Sequence, residues 1–208
     1  MMHKTAHQTP RQDFKIISDW ISSNAQVLDL GCADGSLMRH LQDTKNIHGY
    51  GLEREAKNIA KCIDNNINVI QMNLNDGLPS FEDKTFDYVV LSLTLQSIKH
   101  ATDLVDEMLR VGEEAIVSFP NFGHWSIRLQ LALGGKMPVS KRLPYKWHDT
   151  PNIRLSTVHD FEEFCDNRNI QILESRVLNN DYKTTFIQQC FPNLFGSIAM
   201  FRLSRKTT

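Results

Sequence analysis

The nine residues VLDLGCADG at positions 27–35 combine an apolar strand, an aspartate near its end and a turn with two glycines. Gly31 and Gly35 carry no side chain, so the turn can bend sharply and let a ligand touch the backbone. It also presents free N–H groups where the next helix begins. A strand, a glycine turn and a helix in this order are typical of cofactor binding in doubly wound α/β sheets. The turn therefore predicts a site for a nucleotide-like cofactor.

A second acidic position lies at the end of the next apolar segment, residues 47–53, where Glu53 is the last residue. In a parallel sheet this strand end lies beside the glycine turn. A carboxylate roughly 20 residues beyond such a turn can accept hydrogen bonds from both hydroxyls of a ribose. The alternative is that Glu53 is only a solvated acid at a strand end.

A third strand signal spans residues 68–74 and ends with a polar amide next to an apolar side chain. Asn73 can bond the exocyclic amine or a ring nitrogen of adenine, while Leu74 packs on the face of the ring. An Asn in a turn also bonds its own backbone without any ligand, so a role in the turn alone stays open.

These strand ends must meet at one edge of a sheet. Apolar periodicity predicts helices between the strands, starting with a helix at 12–21, and further strands at 86–92 and 114–119. Two late strands at 170–178 and 197–203 are joined by a polar connection that favours a hairpin and an antiparallel last strand. We therefore predict a Rossmann-like, doubly wound α/β fold with a mostly parallel seven-stranded sheet.

The pattern changes after Pro120, and residues 121–155 are predicted to be an inserted helix and loop. An amphipathic helix is expected at 121–135, followed by a segment rich in Pro, Trp, Tyr and His without clear periodicity. Thr157 and Asp160 approximate a capping box for a later helix, and Thr102 is a candidate cap for an earlier one.

Composition limits the class of protein. The chain has 208 residues, a net charge of −1 and four cysteines without Cys-x-x-Cys spacing. We expect a single domain over 1–208 with a flexible N-terminus at 1–11 that lacks a cleavage signal. The mixed charges disfavour nucleic acid and membrane surfaces as partners. Isolated cysteines are typical of reduced thiols, which predicts a cytoplasmic protein.

Catalytic residues are harder to identify, because a group transfer needs little beyond alignment of the reactants and sometimes a base. His124 follows the fifth strand and His148 lies in the aromatic part of the insertion, so both are weak candidates for a base. His124 can equally cap a helix, and His148 can belong to a protein-binding surface with Tyr145 and Trp147. The histidines lack metal-ligand spacing, so no metal site is expected.

The glycine turn, the strand end at Glu53 and the Asn73-Leu74 pair together resemble the class I S-adenosylmethionine-dependent methyltransferases. Within that superfamily the chain closely resembles the MetW family of methionine biosynthesis. The resemblance covers about residues 10–178 and is carried by the run at 27–35, YGLE at 50–53, SFPNFGHW at 118–125 and DTPNI at 149–153. The SFPNFGHW segment is far more specific than the glycine turn.

The resemblance implies that Asp29, Gly31 and Gly35 surround the methionine end of S-adenosylmethionine or S-adenosylhomocysteine. Glu53 would hold the ribose, and the 73–74 pair would contact the adenine. Two departures are evident, since Ala33 stands where many methyltransferases have glycine and Asn73 where an acid is common. The full set of candidate cofactor-binding residues is Asp29, Gly31, Cys32, Ala33, Gly35, Glu53, Arg54, Asn73, Leu74 and Ser92.

For function, the resemblance implies a regulatory or activating partner of homoserine O-acyltransferase that binds S-adenosylmethionine and docks through the insertion. The alternative is an active methyltransferase acting on a small molecule or a protein side chain. The segment after the fourth strand, SLTLQ at 92–96, lacks the Asp/Asn-Pro-Pro-aromatic arrangement of amino-group methyltransferases, which disfavours nitrogen methylation of that type.

Overall fold

A computed structural model describes residues 12–206, and these residues form helices on both faces of one seven-stranded sheet. The predicted flexible segment at 1–11 lies outside the described residues. The strands are β1 Gln26–Leu30, β2 His48–Glu53, β3 Val69–Gln71, β4 Phe86–Ser92, β5 Gly112–Pro120, β6 Ile170–Leu178 and β7 Ile198–Arg205. The helices are α1 Gln12–Trp20, α2 Ser36–Lys45, α3 Ala56–Asp64, α4 Ala101–Val111, α5 Trp125–Gly134, α6 Val158–Asn167, α7 Phe186–Cys190 and α8 Pro192–Phe195.

The sheet order is β3-β2-β1-β4-β5-β7-β6, with β1 to β5 joined in parallel and β7 antiparallel to both of its neighbours. This confirms the predicted mostly parallel α/β sheet with an antiparallel last strand. After β1 the chain continues on one side to β2, while β4 pairs on the other side of β1. A crevice at the carboxyl ends of the strands is expected where the order reverses in this way.

Two apolar layers hold the helices against the sheet. One layer packs α1 and α2 on one face, with Ile17 and Met38 fully buried. The other layer packs α4 and α6 on the opposite face, with Met108 and Cys165 fully buried. Strands β1, β4 and β5 lie between the layers and are buried on both faces, which explains their continuous apolar sequences. None of the helices within 12–206 is long and apolar enough to cross a membrane.

Several local predictions are wrong in detail. The strand expected at 68–74 is only three residues long, because a 3-10 turn begins at Leu74. Helix α4 begins at Ala101 with His100 as its N-cap, so Thr102 is not the cap. The connection between β6 and β7 is not a simple hairpin, since it contains α7 and α8. The capping box formed by Thr157 and Asp160 is confirmed.

The inserted helix also differs from its prediction. Helix α5 spans ten residues, begins four residues after Asn121 and is not amphipathic. Its apolar side chains recur every second residue, and a spacing of two places successive side chains on nearly opposite sides of a helix. Of the residues in α5, Ile127 is buried.

Candidate functional site

A cavity of about 360 Å³ lies at the carboxyl ends of the first four strands. Its lining includes Gly31 after β1, Glu53 at the end of β2, Asn73 after β3 and Thr94 after β4. The volume falls within the range of about 300–1,000 Å³ that is usual for small-molecule and cofactor sites. The crevice predicted by the sheet topology and the glycine turn is therefore present.

Of the ten predicted cofactor-binding residues, the cavity lining brings together five. They are Gly31, Glu53, Arg54, Asn73 and Leu74. The other five are outside the lining and lie in the glycine turn or in strands β1 and β4, so their part in binding stays a prediction. They are Asp29, Cys32, Ala33, Gly35 and Ser92.

The turn after β1 alternates between left-handed and other conformations. Gly31, Ala33 and Gly35 have φ values of 74°, 50° and 76°. A Cβ atom at Gly31 would lie 2.9 Å from Cγ2 of Thr94, so a side chain there would displace a residue that lines the cavity. Ala33 lies in the same left-handed backbone region as Gly31 and Gly35, although its methyl group disfavours that region.

Replacing Ala33 with glycine is expected to raise the free energy of unfolding by about 0.5–1 kcal/mol, because relief of the left-handed strain exceeds the added entropy of the unfolded chain. Urea denaturation measures the change. Ala132→Gly on the exposed side of α5 is the matched control and should lower stability by about 1 kcal/mol. A destabilised Ala33→Gly variant would contradict this account of the turn.

Glu53 is fixed at the rim of the cavity by backbone N–H groups. Its Oε1 accepts hydrogen bonds from the amides of Arg54 at 2.7 Å and Glu55 at 2.8 Å. Its Oε2 accepts one from the amide of Ala33 at 3.0 Å. The carboxylate therefore joins the end of β2 to the glycine turn, and Oε2, which accepts a single N–H group, keeps capacity for a further donor such as a ribose hydroxyl.

Asn73 forms the turn that sequence reasoning left open as its alternative role. Its Oδ1 accepts hydrogen bonds from the backbone amide of Asn75 at 3.2 Å and from the side-chain amide of Asn75 at 3.1 Å. Both acceptor positions of Oδ1 are thereby used, which leaves the Nδ2 group as the donor that faces a ligand. A donor suits a ring nitrogen of adenine rather than its exocyclic amine.

Asp29 lies in the sheet under the turn, with 2% of its surface exposed. Burial, and to a smaller extent the nearby Glu53 carboxylate, together raise the pKa of its carboxyl group from the usual 3.8 to about 7. A cation placed above the turn would favour the ionised form. The pair of acids thus gives this end of the cavity a preference for positively charged groups.

The raised pKa of Asp29 predicts a pH-dependent stability. Between about pH 4 and pH 7 the folded protein holds a proton that the unfolded chain has lost, so stability falls as the pH rises through this window. Asp29→Asn is expected to gain roughly 2–4 kcal/mol more over wild type at pH 8 than at pH 4. Urea unfolding at the two pH values measures the free energies of unfolding of both proteins. If the difference between Asp29→Asn and wild type is the same at both pH values, the pKa of Asp29 is not raised by burial.

Cys32 points away from the cavity. Its Sγ lies 3.7 Å from Sγ of Cys62, and the space for it exists because a Cβ at Gly51 would lie 2.4 Å from that sulfur. The thiol of Cys62 donates to the carbonyl of Ala33 at 3.1 Å. Burial raises the pKa of both thiols, so they stay protonated and support the turn from beneath.

Ser92 ends β4 and faces the neighbouring strand. Its Oγ lies 3.4 Å from Oγ of Ser118, and the carbonyl of Ser92 accepts a hydrogen bond from the Thr94 hydroxyl at 3.0 Å. Leu93 between them has a φ of 53°, a strained value for a side chain of this size. The Ser92 carbonyl therefore holds the hydroxyl of Thr94, and Thr94 lines the cavity.

Sequence reasoning missed the side of the cavity formed by distant segments. Lys99 follows β4, and Pro151 and Ile153 come from the end of the insertion. Gln96 holds the insertion in place, since its carbonyl accepts hydrogen bonds from the amides of Ile153 at 2.7 Å and Arg154 at 2.9 Å. The DTPNI motif at 149–153 was the available signal, but no strand or helix pattern placed it beside the cofactor turn.

The two histidines proposed as bases are not in this lining. His124 caps α5, with Nδ1 2.8 Å from the Ser126 hydroxyl and 3.3 Å from the Ser126 amide. Burial lowers the pKa of His124, which keeps the ring neutral and suited to accept from that amide. His148 is exposed and packs edge-on against Trp147, with ring centroids 5.4 Å apart. A catalytic role for either residue stays a prediction.

The chemistry of the lining fits an adenosine group. The carboxylate of Glu53 can accept from a ribose hydroxyl, the amide of Asn73 matches a ring nitrogen, and Leu74, Met72 and Ile98 supply apolar surface for the ring. The ionisable side chains among the described residues of the lining are Glu53, Arg54, Glu55 and Lys99.

Comparison with known proteins decides the family. The family model for the methionine biosynthesis protein MetW matches residues 11–203. The chain belongs to the MetW family. A relative from Rhodopirellula baltica, the bifunctional methionine biosynthesis protein MetXA/MetW, is 34% identical over 203 residues, which is 93% of this chain and 33% of the relative. This MetW-family chain thus spans about a third of that relative's length.

Solved structures share the fold at low sequence identity. An S-adenosylmethionine-dependent methyltransferase from Mesorhizobium loti has a TM-score of 0.68 at 14% identity, with 94% of this chain and 99% of that chain covered. A related enzyme from Archaeoglobus fulgidus has a TM-score of 0.67 at 14% identity, with coverage of 94% and 92%. The [4+2]-cyclase SpnF has a TM-score of 0.66 at 13% identity, with coverage of 95% and 82%. The MetW-family chain therefore has the class I methyltransferase fold, and the cyclase shows that this fold does not dictate methyl transfer.

Proposed function

We propose that the cavity binds S-adenosylmethionine or its demethylated product S-adenosylhomocysteine. The observation that carries this proposal is the Glu53 carboxylate, which three backbone N–H groups hold in place at the cavity rim. Asn73 and Leu74 would meet the adenine, and the acidic pair of Asp29 and Glu53 favours the positively charged methionine end. When bound, the cofactor supplies an electrophilic methyl group, and the residues of this chain bind and orient it.

We infer that the protein acts with homoserine O-acyltransferase as a regulatory or activating partner. Its MetW-family relative joins MetXA and MetW in one bifunctional chain, and a fused pair of domains stays at a high effective concentration. A cavity whose lining offers groups that bind the cofactor suits a domain that senses it. The state of the cavity would then be transmitted to the acyltransferase through a docking surface.

The docking surface we propose is the inserted helix α5 with the loop after it. Leu133 is 79% exposed and Trp147 is 74% exposed, and further apolar residues along the same segment are exposed. These are Trp125, Leu129, Leu131, Met137, Val139 and Tyr145. Exposed apolar side chains that follow one another along a helix and its loop are typical of a protein-binding surface, so α5 is suited to a covering partner. A protein partner rich in apolar surface would provide this cover.

We expect the double variant Leu133→Ser, Trp147→Ser to lose at least ~10-fold in affinity for homoserine O-acyltransferase, because a Trp at an interface centre commonly dominates binding and the Leu side chain adds buried apolar area. Calorimetry with the purified acyltransferase measures this. The matched control is Phe186→Ser, which removes an equally exposed apolar side chain outside the insertion. Equal losses in both variants, or binding by neither wild type nor control, would contradict docking through the insertion.

The same purified pair tests the regulatory role. The acyltransferase rate is expected to change when this protein is added, and to change again when S-adenosylmethionine is added as well. When Glu53→Ala takes the place of the wild-type protein, S-adenosylmethionine should cause no second change. A rate that ignores both additions would remove the regulatory proposal. Formation of S-adenosylhomocysteine from S-adenosylmethionine with a candidate acceptor would instead assign methyltransferase activity, which the shared fold permits.

A further inference from the structure

A second cavity, of about 340 Å³, lies between α4 and α6 and is separate from the cofactor cavity. Its apolar floor is formed by Leu95, Val105 and Phe161, which are 4%, 1% and 5% exposed. The volume is at the lower end of the range of about 300–1,000 Å³ for ligand sites. The floor is therefore suited to a short hydrocarbon group.

The rim of this cavity is cationic. Lys99, His100 and Arg154 line it, and the described residues include no carboxylate paired with any of the three side chains. Asp160 also lines the cavity, but its Oδ2 accepts hydrogen bonds from the amide and hydroxyl of Thr157 in the capping box. These bonds hold the Asp160 carboxylate against Thr157 without cancelling its charge, so the rim carries the positive charges of Lys99 and Arg154 against one negative charge and keeps a net positive charge.

The two cavities share a wall. Lys99 lines both of them, Ile153 faces the cofactor cavity, and Arg154 faces the second one. The guanidinium of Arg154 donates to the carbonyl of Lys99, and the amides of both 153 and 154 donate to the carbonyl of Gln96. A ligand that moves Arg154 would therefore act on Lys99 and Ile153, which line the cofactor cavity.

We propose that this second cavity binds a small amphiphilic carboxylate and that its occupancy changes affinity for the cofactor. The carboxylate would lie between Arg154 and Lys99 in charge-assisted hydrogen bonds, and the alkyl chain would lie on the apolar floor. Coupling between two sites is reciprocal, so the cofactor changes affinity for the carboxylate by the same factor. The coupling, but not the binding itself, rests on the proposed cofactor function.

Hexanoate is the probe, and its binding to the full chain is followed by amide chemical shifts. We expect saturable shifts at residues 95–105 and 154–164, with hexan-1-ol and hexylamine binding at least ~10-fold more weakly because they lack the negative head group. Arg154→Gln is expected to weaken hexanoate about 10-fold for the same reason. Equal binding of hexanol, or shifts spread over the whole surface, would overturn the site.

A matched pair of variants at exposed positions tests the second cavity, and one of the two fills it. Thr102 is exposed and lines the cavity, so Thr102→Trp fills it, whereas Asp103→Trp places the same side chain next to it and outside the lining. Hexanoate should bind the second variant and not the first. Undiminished binding to Thr102→Trp would overturn the site.

Coupling is read from the affinity for S-adenosylhomocysteine with and without saturating hexanoate. A shift of at least ~3-fold is expected in wild type and none in Thr102→Trp. An affinity that hexanoate leaves unchanged would overturn the coupling. Failure of S-adenosylhomocysteine to bind at all would refute the cofactor proposal instead, and hexanoate binding distinguishes the two results.

Discussion

Replacing Glu53 with alanine is expected to weaken binding of S-adenosylhomocysteine at least ~10-fold while the protein stays folded. The variant removes the charge-assisted acceptor that Oε2 offers to a ribose hydroxyl, which is worth roughly 1.5–3 kcal/mol. It also frees the amides of Ala33, Arg54 and Glu55 that the carboxylate now holds. Because these amides lie at an accessible rim, water can replace the carboxylate and unfolding is not expected.

Calorimetry measures the loss, and circular dichroism checks that the fold is retained. Glu55→Ala is the matched control, because Glu55 lines the same cavity but its Oε1 is paired with the Arg54 guanidinium at 2.8 Å. We expect less than a ~3-fold change in this control, since it removes an equal charge without removing a ribose acceptor. If Glu53→Ala binds as tightly as the control, the ribose lies elsewhere.

Glu53→Gln separates charge from hydrogen bonding. The glutamine keeps one acceptor oxygen, but its NH₂ group must face either the Ala33 amide or the amides of Arg54 and Glu55, and two donors cannot bond each other. We expect affinity between those of wild type and Glu53→Ala. A Glu53→Gln variant that binds S-adenosylhomocysteine with wild-type affinity would show that the negative charge contributes nothing to binding.

The sheet could be predicted because its central strands are buried on both faces and read as apolar runs. Strand β4 at 86–92 and strand β6 at 170–178 have the predicted bounds, since continuous or alternating apolar residues leave few alternatives. The ends of parallel strands must share an edge, which is why Gly31, Glu53 and Asn73 meet in one cavity as expected.

The remainder of the site depends on contacts that have no local signal. The DTPNI segment reaches the cavity only because Gln96 holds its backbone, and two hydrogen bonds to a carbonyl leave no pattern in the sequence. Cys32 and Cys62 lie 30 positions apart and meet because Gly51 leaves room for a sulfur atom. Long-range packing of this kind cannot be deduced from spacing.

The SFPNFGHW motif shows a different limit of prediction from sequence. Its His124 was a candidate base, but in the structure His124 caps a helix and Asn121 bonds the backbone. Asn121 is 1% exposed and bonds four backbone groups. Its Nδ2 donates to the carbonyls of Asn193 at 2.9 Å and Gly196 at 2.7 Å. Its Oδ1 accepts from the amides of Gly123 at 2.9 Å and Val158 at 3.3 Å. One side chain thus joins the end of β5 to α6 and α8.

Replacing Asn121 with alanine is therefore expected to cost about 3–5 kcal/mol in the free energy of unfolding. The variant leaves two buried donors and two buried acceptors without partners, and each such group costs about 1–3 kcal/mol, less when neighbouring groups relax together. Against a typical total of about 5–15 kcal/mol, this loss is a large part of the stability. Urea denaturation below the melting temperature measures it.

Asn193→Ala is the matched control, because Asn193 is another buried asparagine in direct contact with Asn121. Its Oδ1 is buried and has no hydrogen-bond partner among residues 12–206, so truncation removes an unsatisfied group and should change stability by less than about 1 kcal/mol. A loss below about 1 kcal/mol in Asn121→Ala, or an equal loss in both variants, would contradict this assignment. With Asn121 explained by its backbone partners and His124 by its capping bonds, the most specific motif of the chain stabilises the end of β5.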